Sequence, residues 1–327
     1  MPSRLLLAAA LPAGVLAACA FQGLPVAGAT DGAPADAPWA GDGPDAATAA
    51  DARDASTTDS RTADAPPDAV TLGPFGPAAL VVDLDTTGIE ATHTLTGDTL
   101  EIFFTRGGDL WTASRAAPGQ PWSAPAPVTA VNSASSETTA EVADDGLTLW
   151  FASDRPGGAG MTDIYVSLRA ARGAPWGVPV RVVELCSANA DWSATPGAGG
   201  LTMVVVSDRP GMGSNDLYWT ARPSAGTPWA PPAPLDAVNT PSADGDPWLD
   251  ATGTVLYFSS DRPGGLGGRD LWRAVRPDVA SPFGAPAPVA ELNTVAADRN
   301  PWLSPDQRTI WFSSDRSGAW KLYVATR

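Results

Sequence analysis

Five acidic side chains, Glu90, Glu137, Asp191, Asp244 and Asp298, occupy one repeating position of this sequence, each five residues beyond an Asn-like position. Carboxylates brought together around one axis repel one another, which raises their pKa values or draws in a hard cation. Each acid is expected to cap a turn through its own backbone, with no cofactor; a calcium ion held at this acidic ring is the alternative. Trp192, beside Asp191, breaks the repeat, since its equivalents are Gly245 and Arg299. A residue that the fold does not require is a candidate ligand platform at the same place.

A second set is the string Ser-Asp-Arg beginning at Ser153, Ser207, Ser260 and Ser314. Its Arg is present in every copy, as Arg106, Arg155, Arg209, Arg262 and Arg316, while Thr105 takes the Asp place in the first. An Asp-apolar-aromatic triplet follows at Asp109, Asp163, Asp216 and Asp270. Each Arg is expected to pair with a nearby Asp, such as Asp163 or Asp270, and so to fix the turn by a charge-assisted bond. Catalysis needs a group once, whereas these occur once per copy, so no catalytic residue is assigned and an enzyme is not the favoured reading.

Composition narrows the chemistry further. A single histidine, His93, cannot build a histidine metal cluster, and it makes Ser/His/Asp hydrolysis improbable. The net charge of −16 provides no phosphate-binding surface, so nucleic acid is not an expected partner. Cys19 and Cys186 are the two cysteines. With Cys19 committed elsewhere, Cys186 is expected to be a small buried hydrophobe.

The elements that position these residues come from the repeat. Ser-Asp-Arg and the following triplet recur at spacings of 54, 53 and 54 residues, in register with an aromatic residue at Trp122, Trp176, Trp229 and Phe283. Phe75 opens a shorter first copy. A fixed period of this size means propeller blades or a solenoid. In the last copy Asn300–Leu303, Thr309–Ser313 and Leu322–Ala325 read as strands separated by turns, and Ala287–Ala290 is a Pro-bearing edge strand. Four strands per copy make a blade. The chain stops after a third strand, and Ala79–Val82 aligns with the missing fourth, so an N-terminal strand is expected to close the ring. The expected fold is all-β: a five-bladed β-propeller over residues 73–327, with a monomer as its expected state.

Ahead of it, residues 1–18 read as a signal peptide, with Arg4 followed by the apolar run Leu5–Ala18. The string Leu16-Ala17-Ala18-Cys19 resembles the bacterial lipobox, which implies lipidation of Cys19 and, with Ala20 next, an outer-membrane anchor. Residues 19–72, rich in Ala, Asp and Pro, read as a disordered tether. The repeat Ser304-Pro305-Asp306 … Ile310-Trp311-Phe312-Ser313-Ser314-Asp315-Arg316, with its relative Ser260-Asp261-Arg262-Pro263-Gly264-Gly265, resembles the WD-repeat-like propeller unit of TolB-type proteins. That resemblance implies a non-catalytic scaffold in the cell envelope that holds a protein or polysaccharide on one face. The alternative is a glycan-binding, lectin-like or glycan-active propeller.

Overall fold

The computed structural model describes residues 72–84 and 92–327. The signal segment, Cys19, nearly all of the tether and Glu90 lie outside the described residues. Among the described residues twenty strands form five four-stranded antiparallel sheets.

One strand, β1 (Ala79–Leu80), precedes the first complete blade. Blade one contains β2 (His93–Leu95), β3 (Glu101–Arg106), β4 (Asp109–Ser114) and β5 (Ala126–Pro127). Blade two contains β6 (Glu137–Val142), β7 (Thr148–Ser153), β8 (Asp163–Leu168) and β9 (Val180–Arg181). Blade three contains β10 (Asp191–Gly197), β11 (Thr202–Ser207), β12 (Asp216–Ala221) and β13 (Ala233–Pro234). Blade four contains β14 (Asp244–Leu249), β15 (Val255–Ser260), β16 (Asp270–Val275) and β17 (Ala287–Pro288). Blade five has β18 (Asp298–Leu303), β19 (Thr309–Ser314) and β20 (Lys321–Thr326), and takes β1 as its outer strand. Each blade packs on the next, and β18 lies against β2, so the ring closes as a five-bladed β-propeller.

The residues explain the position of each strand. The second strands, such as Leu256-Tyr257-Phe258-Ser259-Ser260, are buried on both faces because a neighbouring blade covers each side. They therefore read as continuous rather than alternating apolar runs. The outermost strands are two residues long, and in three blades they are an exposed Ala-Pro, where a missing N–H costs nothing at an edge. Between blades the core is aromatic and aliphatic, as where Phe103, Leu149 and Phe151 meet.

Closure rests on a short segment. Ala79 and Leu80 pair with Val324 and Tyr323, and Gly76 N–H donates to the Thr326 carbonyl at 2.8 Å. Phe75 is buried with the Arg327 guanidinium 4.2 Å above its ring, and its N–H donates to Glu291 at 3.2 Å. Phe75→Ala is therefore expected to cost about 3 kcal/mol and to lower the melting temperature by several degrees. A melting curve like that of the wild type would show that this segment does not hold the ring shut.

Candidate functional site

The four described acids of the repeating position do not face the axis as free carboxylates. Glu137, Asp191, Asp244 and Asp298 are fully buried, each paired with the Arg of its own blade's Ser-Asp-Arg turn. In blade four, Arg262 Nη2 donates to Asp244 Oδ1 at 2.5 Å and to the Val238 carbonyl at 2.8 Å. The second carboxylate oxygen of Asp244 accepts from Thr240 N–H at 2.7 Å and from Thr240 Oγ1 at 3.0 Å. Blades two, three and five repeat this network around Arg155, Arg209 and Arg316.

The rest of the motif is absorbed in the same way. Ser260 Oγ accepts from both the N–H and Nε of Arg262, at 3.1 and 2.9 Å. Asp261 accepts from Ala243 N–H at 2.7 Å, tying the turn to the loop that enters the first strand. The guanidinium lies 4.8 Å from the Phe258 ring centre and 5.2 Å from that of Trp272. The aromatic member of the following triplet is thus the cation's platform.

The Arg partner differs from the one expected. Asp163 and Asp270 do not take the Arg; they accept turn N–H groups, Ala159 to Asp163 and Leu266 to Asp270, each at 2.9 Å. Asp216 does the same with Met212 at 2.7 Å. The reason is steric: the turn folds back so tightly that a Cβ at Gly158, Gly211 or Gly265 would fall about 2 Å from the Asp carboxylate. That leaves the first-strand acid as the carboxylate within reach of the Arg. In blade one, Asp109 closes the short Gly107-Gly108 hairpin, and Arg106 lies 5.0 Å from the ring centres of Phe104 and Trp111. With a guanidinium beside each described acid, the mutual repulsion that motivated a calcium ring is already offset. Among the described residues no three His, Cys, Asp or Glu side chains are grouped to hold a metal.

Cys186 also belongs to the repeat. Asn132, Asn239 and Asn293 each bond both backbone groups of a third-strand Leu, at 2.8–3.0 Å. Cys186 stands at their place in blade two, with Sγ 3.2 Å from the Val182 carbonyl. Burial pushes its thiol up to about 12, so it is no nucleophile.

The chemistry left over lies elsewhere. First-strand residues of all five blades, among them His93, Glu141, Ser193, Asp246 and Asn300, line one narrow central bore. Burial lowers the His93 pKa to about 4, so the ring is neutral, with Nδ1 3.4 Å from Ser313 Oγ. Burial also raises Glu141 to about 8, aided by the negative charge of Asp246, while hydrogen bonds from Thr94 and Thr195 oppose the shift. Asp246 accepts from Ser259 Oγ and lies 3.5 Å from Arg269. The space between these groups has room for little more than a water molecule.

The end of the bore at which the first strands begin, its mouth, lies beside the Ser-Asp-Arg turns. Trp192 stands there, 37% exposed, because β10 skips it: Asp191 pairs with Ser207 and Ser193 with Val206. In β6, β14 and β18 the irregularity falls one or more residues later, beginning at Thr138, Gly245 and Arg299. There Thr139, Asp246 and Asn300 adopt φ of 47°, 52° and 53°, a strained backbone for residues with a Cβ. Sequence reasoning singled out Trp192 and passed over Glu141 and Asp246. The signal was available: both are acids where the other copies carry neutral residues, Thr195 and Trp248 for the first, Thr139, Ser193 and Asn300 for the second.

The architecture defines the class: a five-bladed β-propeller with a narrow bore and an irregular mouth. No family model and no curated protein matches the chain. Among solved structures it is similar to endo-arabinase from Bacteroides thetaiotaomicron, at 12% identity and TM-score 0.54, covering 77% of this chain and 98% of that one. It is also similar to a thermostable family-43 glycoside hydrolase, at 9% identity and TM-score 0.53, covering 74% and 89%. TolB from Acinetobacter baumannii matches at 15% identity and TM-score 0.44, covering 72% and 54%. At these identities the likeness to the two hydrolases is one of fold.

Proposed function

We propose that the chain is an exported, lipid-anchored binding module of the cell envelope, held at the outer membrane through Cys19. It engages a protein or envelope polymer at the mouth of the bore and catalyses no reaction on it. The observation that carries this reading is the split between repeated and unrepeated residues. In blades two to five the repeated first-strand acid and the turn Arg pair inside their own blade, as Asp244 and Arg262 do, whereas the unrepeated Trp192 is exposed at the mouth. The anchor rests on Leu16-Ala17-Ala18-Cys19 following an apolar run.

Cross-linking capture from the native envelope tests it, with Cys19→Ser as the delocalised control. A discrete partner held by the full-length protein, and lost in a Trp192→Ala variant of unchanged melting temperature, is the expected result. Capture undiminished by that change would remove the mouth from the interface.

One observation favours a glycan-active second reading. Glu141 and Asp246 stand in different environments, as the acid and base of a glycosidase must. The narrow bore argues against it, since no sugar ring passes where a water barely fits. Release of reducing sugar by the protein, abolished by Glu141→Gln, would replace the binding reading.

A further inference from the structure

The mouth carries side chains that neither the repeat nor the closure of the ring explains. Trp192 of blade three is bulged out of its ladder and exposed. At the equivalent place in blade four stands the buried Gly245, where a Cβ would be in ordinary contact with the Arg269 guanidinium at 3.6 Å and with Val206 at 3.7 Å. In blade five, Arg299 stacks on Trp320 at 3.9 Å. Asp246 lies below, 3.5 Å from Arg269, and Asn300 Oδ1 and Arg299 Nε have no hydrogen-bond partner among the described residues.

We infer that Trp192, Asp246, Arg269 and Arg299 form a single saccharide site that takes one neutral pyranose ring of a polymer. The inference rests on the binding reading above and names its ligand class. A sugar ring presents an apolar C–H face and an edge of neighbouring hydroxyls. An exposed indole suits the first, and planar guanidinium, carboxylate and amide groups suit the second, because each can make paired bonds to two hydroxyls. The ligand is neutral because the local charges balance: Arg269 and Arg299 are opposed by Asp246 and Asp315. The site is single because its residues are unrepeated. Blade two offers Thr138 and Thr162 where blade five has Arg299 and Trp320. Five equivalent lectin sites are therefore not what this mouth presents.

The test presents the purified full-length protein to an array of neutral and uronate-bearing oligosaccharides, then titrates the best neutral binder calorimetrically at low and high salt. The expected result is one site per chain, an affinity insensitive to salt, and a loss of at least about tenfold in Trp192→Ala, with Trp192→Phe retaining most of it. Melting curves of both variants should match the wild type. A blank array, binding confined to uronates with a steep salt dependence, or several equivalent sites would each overturn the inference. A blank array together with a captured envelope partner lost in Trp192→Ala would remove the sugar and leave the binding reading standing; failure of both would remove both.

Discussion

Glu141→Gln is expected to stabilise the protein at alkaline pH and to leave its stability nearly unchanged at pH 4. In the folded chain Glu141 keeps its proton up to about pH 8, whereas the unfolded chain releases it near 4.5. Between those values the folded state binds more protons, so wild-type stability falls as pH rises through that window. Above it a carboxylate is held in the bore beside Asp246, at a cost on the order of 5 kcal/mol that glutamine does not carry. His93 acts in the opposite sense. Its folded pKa of about 4 lies below the ordinary 6.5, so its contribution is present above 6.5 and is lost as pH falls toward 4. The two slopes cancel between 4.5 and 6.5, leaving a plateau in the wild type from these groups. In the variant only the histidine slope remains, so stability should climb to pH 6.5 and then stay level. Urea unfolding across this range reads the difference directly. A variant that differs from the wild type by a constant amount at every pH would show that Glu141 is not a buried, proton-holding carboxyl.

Arg262→Ala should be among the most damaging single substitutions in the chain. Asp244 has no solvent exposure, and Arg262, itself buried, supplies its countercharge while also bonding Val238 and stacking between Phe258 and Trp272. Removing one member of a buried pair strands the other charge, at about 3–5 kcal/mol. Arg262→Lys should recover little, since an ammonium cannot make the same fork of bonds or stack flat on the rings. Thermal and denaturant unfolding check this. A loss below about 1 kcal/mol would place the pair in the weak class of exposed ion pairs.

Most of the fold was legible in the sequence because its markers repeat. The period at Ser153, Ser207, Ser260 and Ser314 set the blade, and the alignment of Ala79–Val82 with the missing last strand anticipated the pairing of Ala79 with Val324. The pairing inside the repeat was less legible. Asp163 and Asp270 are the near acids in sequence, but Arg155 and Arg262 reach back 18 residues to Glu137 and Asp244, across a ladder that only the folded sheet brings together. The functional candidates were harder still. Glu141 and Asp246 look like ordinary strand acids until β6 and β14 are placed around a common bore, where burial rather than residue type sets the ionisation of Glu141. His93, too solitary to form a cluster of its own kind, lines the same bore. Trp192 could be picked out because it breaks a pattern, yet its exposure comes from a bulge that no spacing announces.

The account turns on the claim that the repeated polar residues are structural, with function left to the departures from the repeat. The coupling free energy between Asp244 and Arg262, from the unfolding of both single variants and the double variant, tests this most directly. The account predicts a coupling of several kcal/mol, with the double variant more stable than the sum of the two single losses implies. A coupling near zero, with stability intact, would contradict it and return the acidic ring to the list of candidate ligand sites.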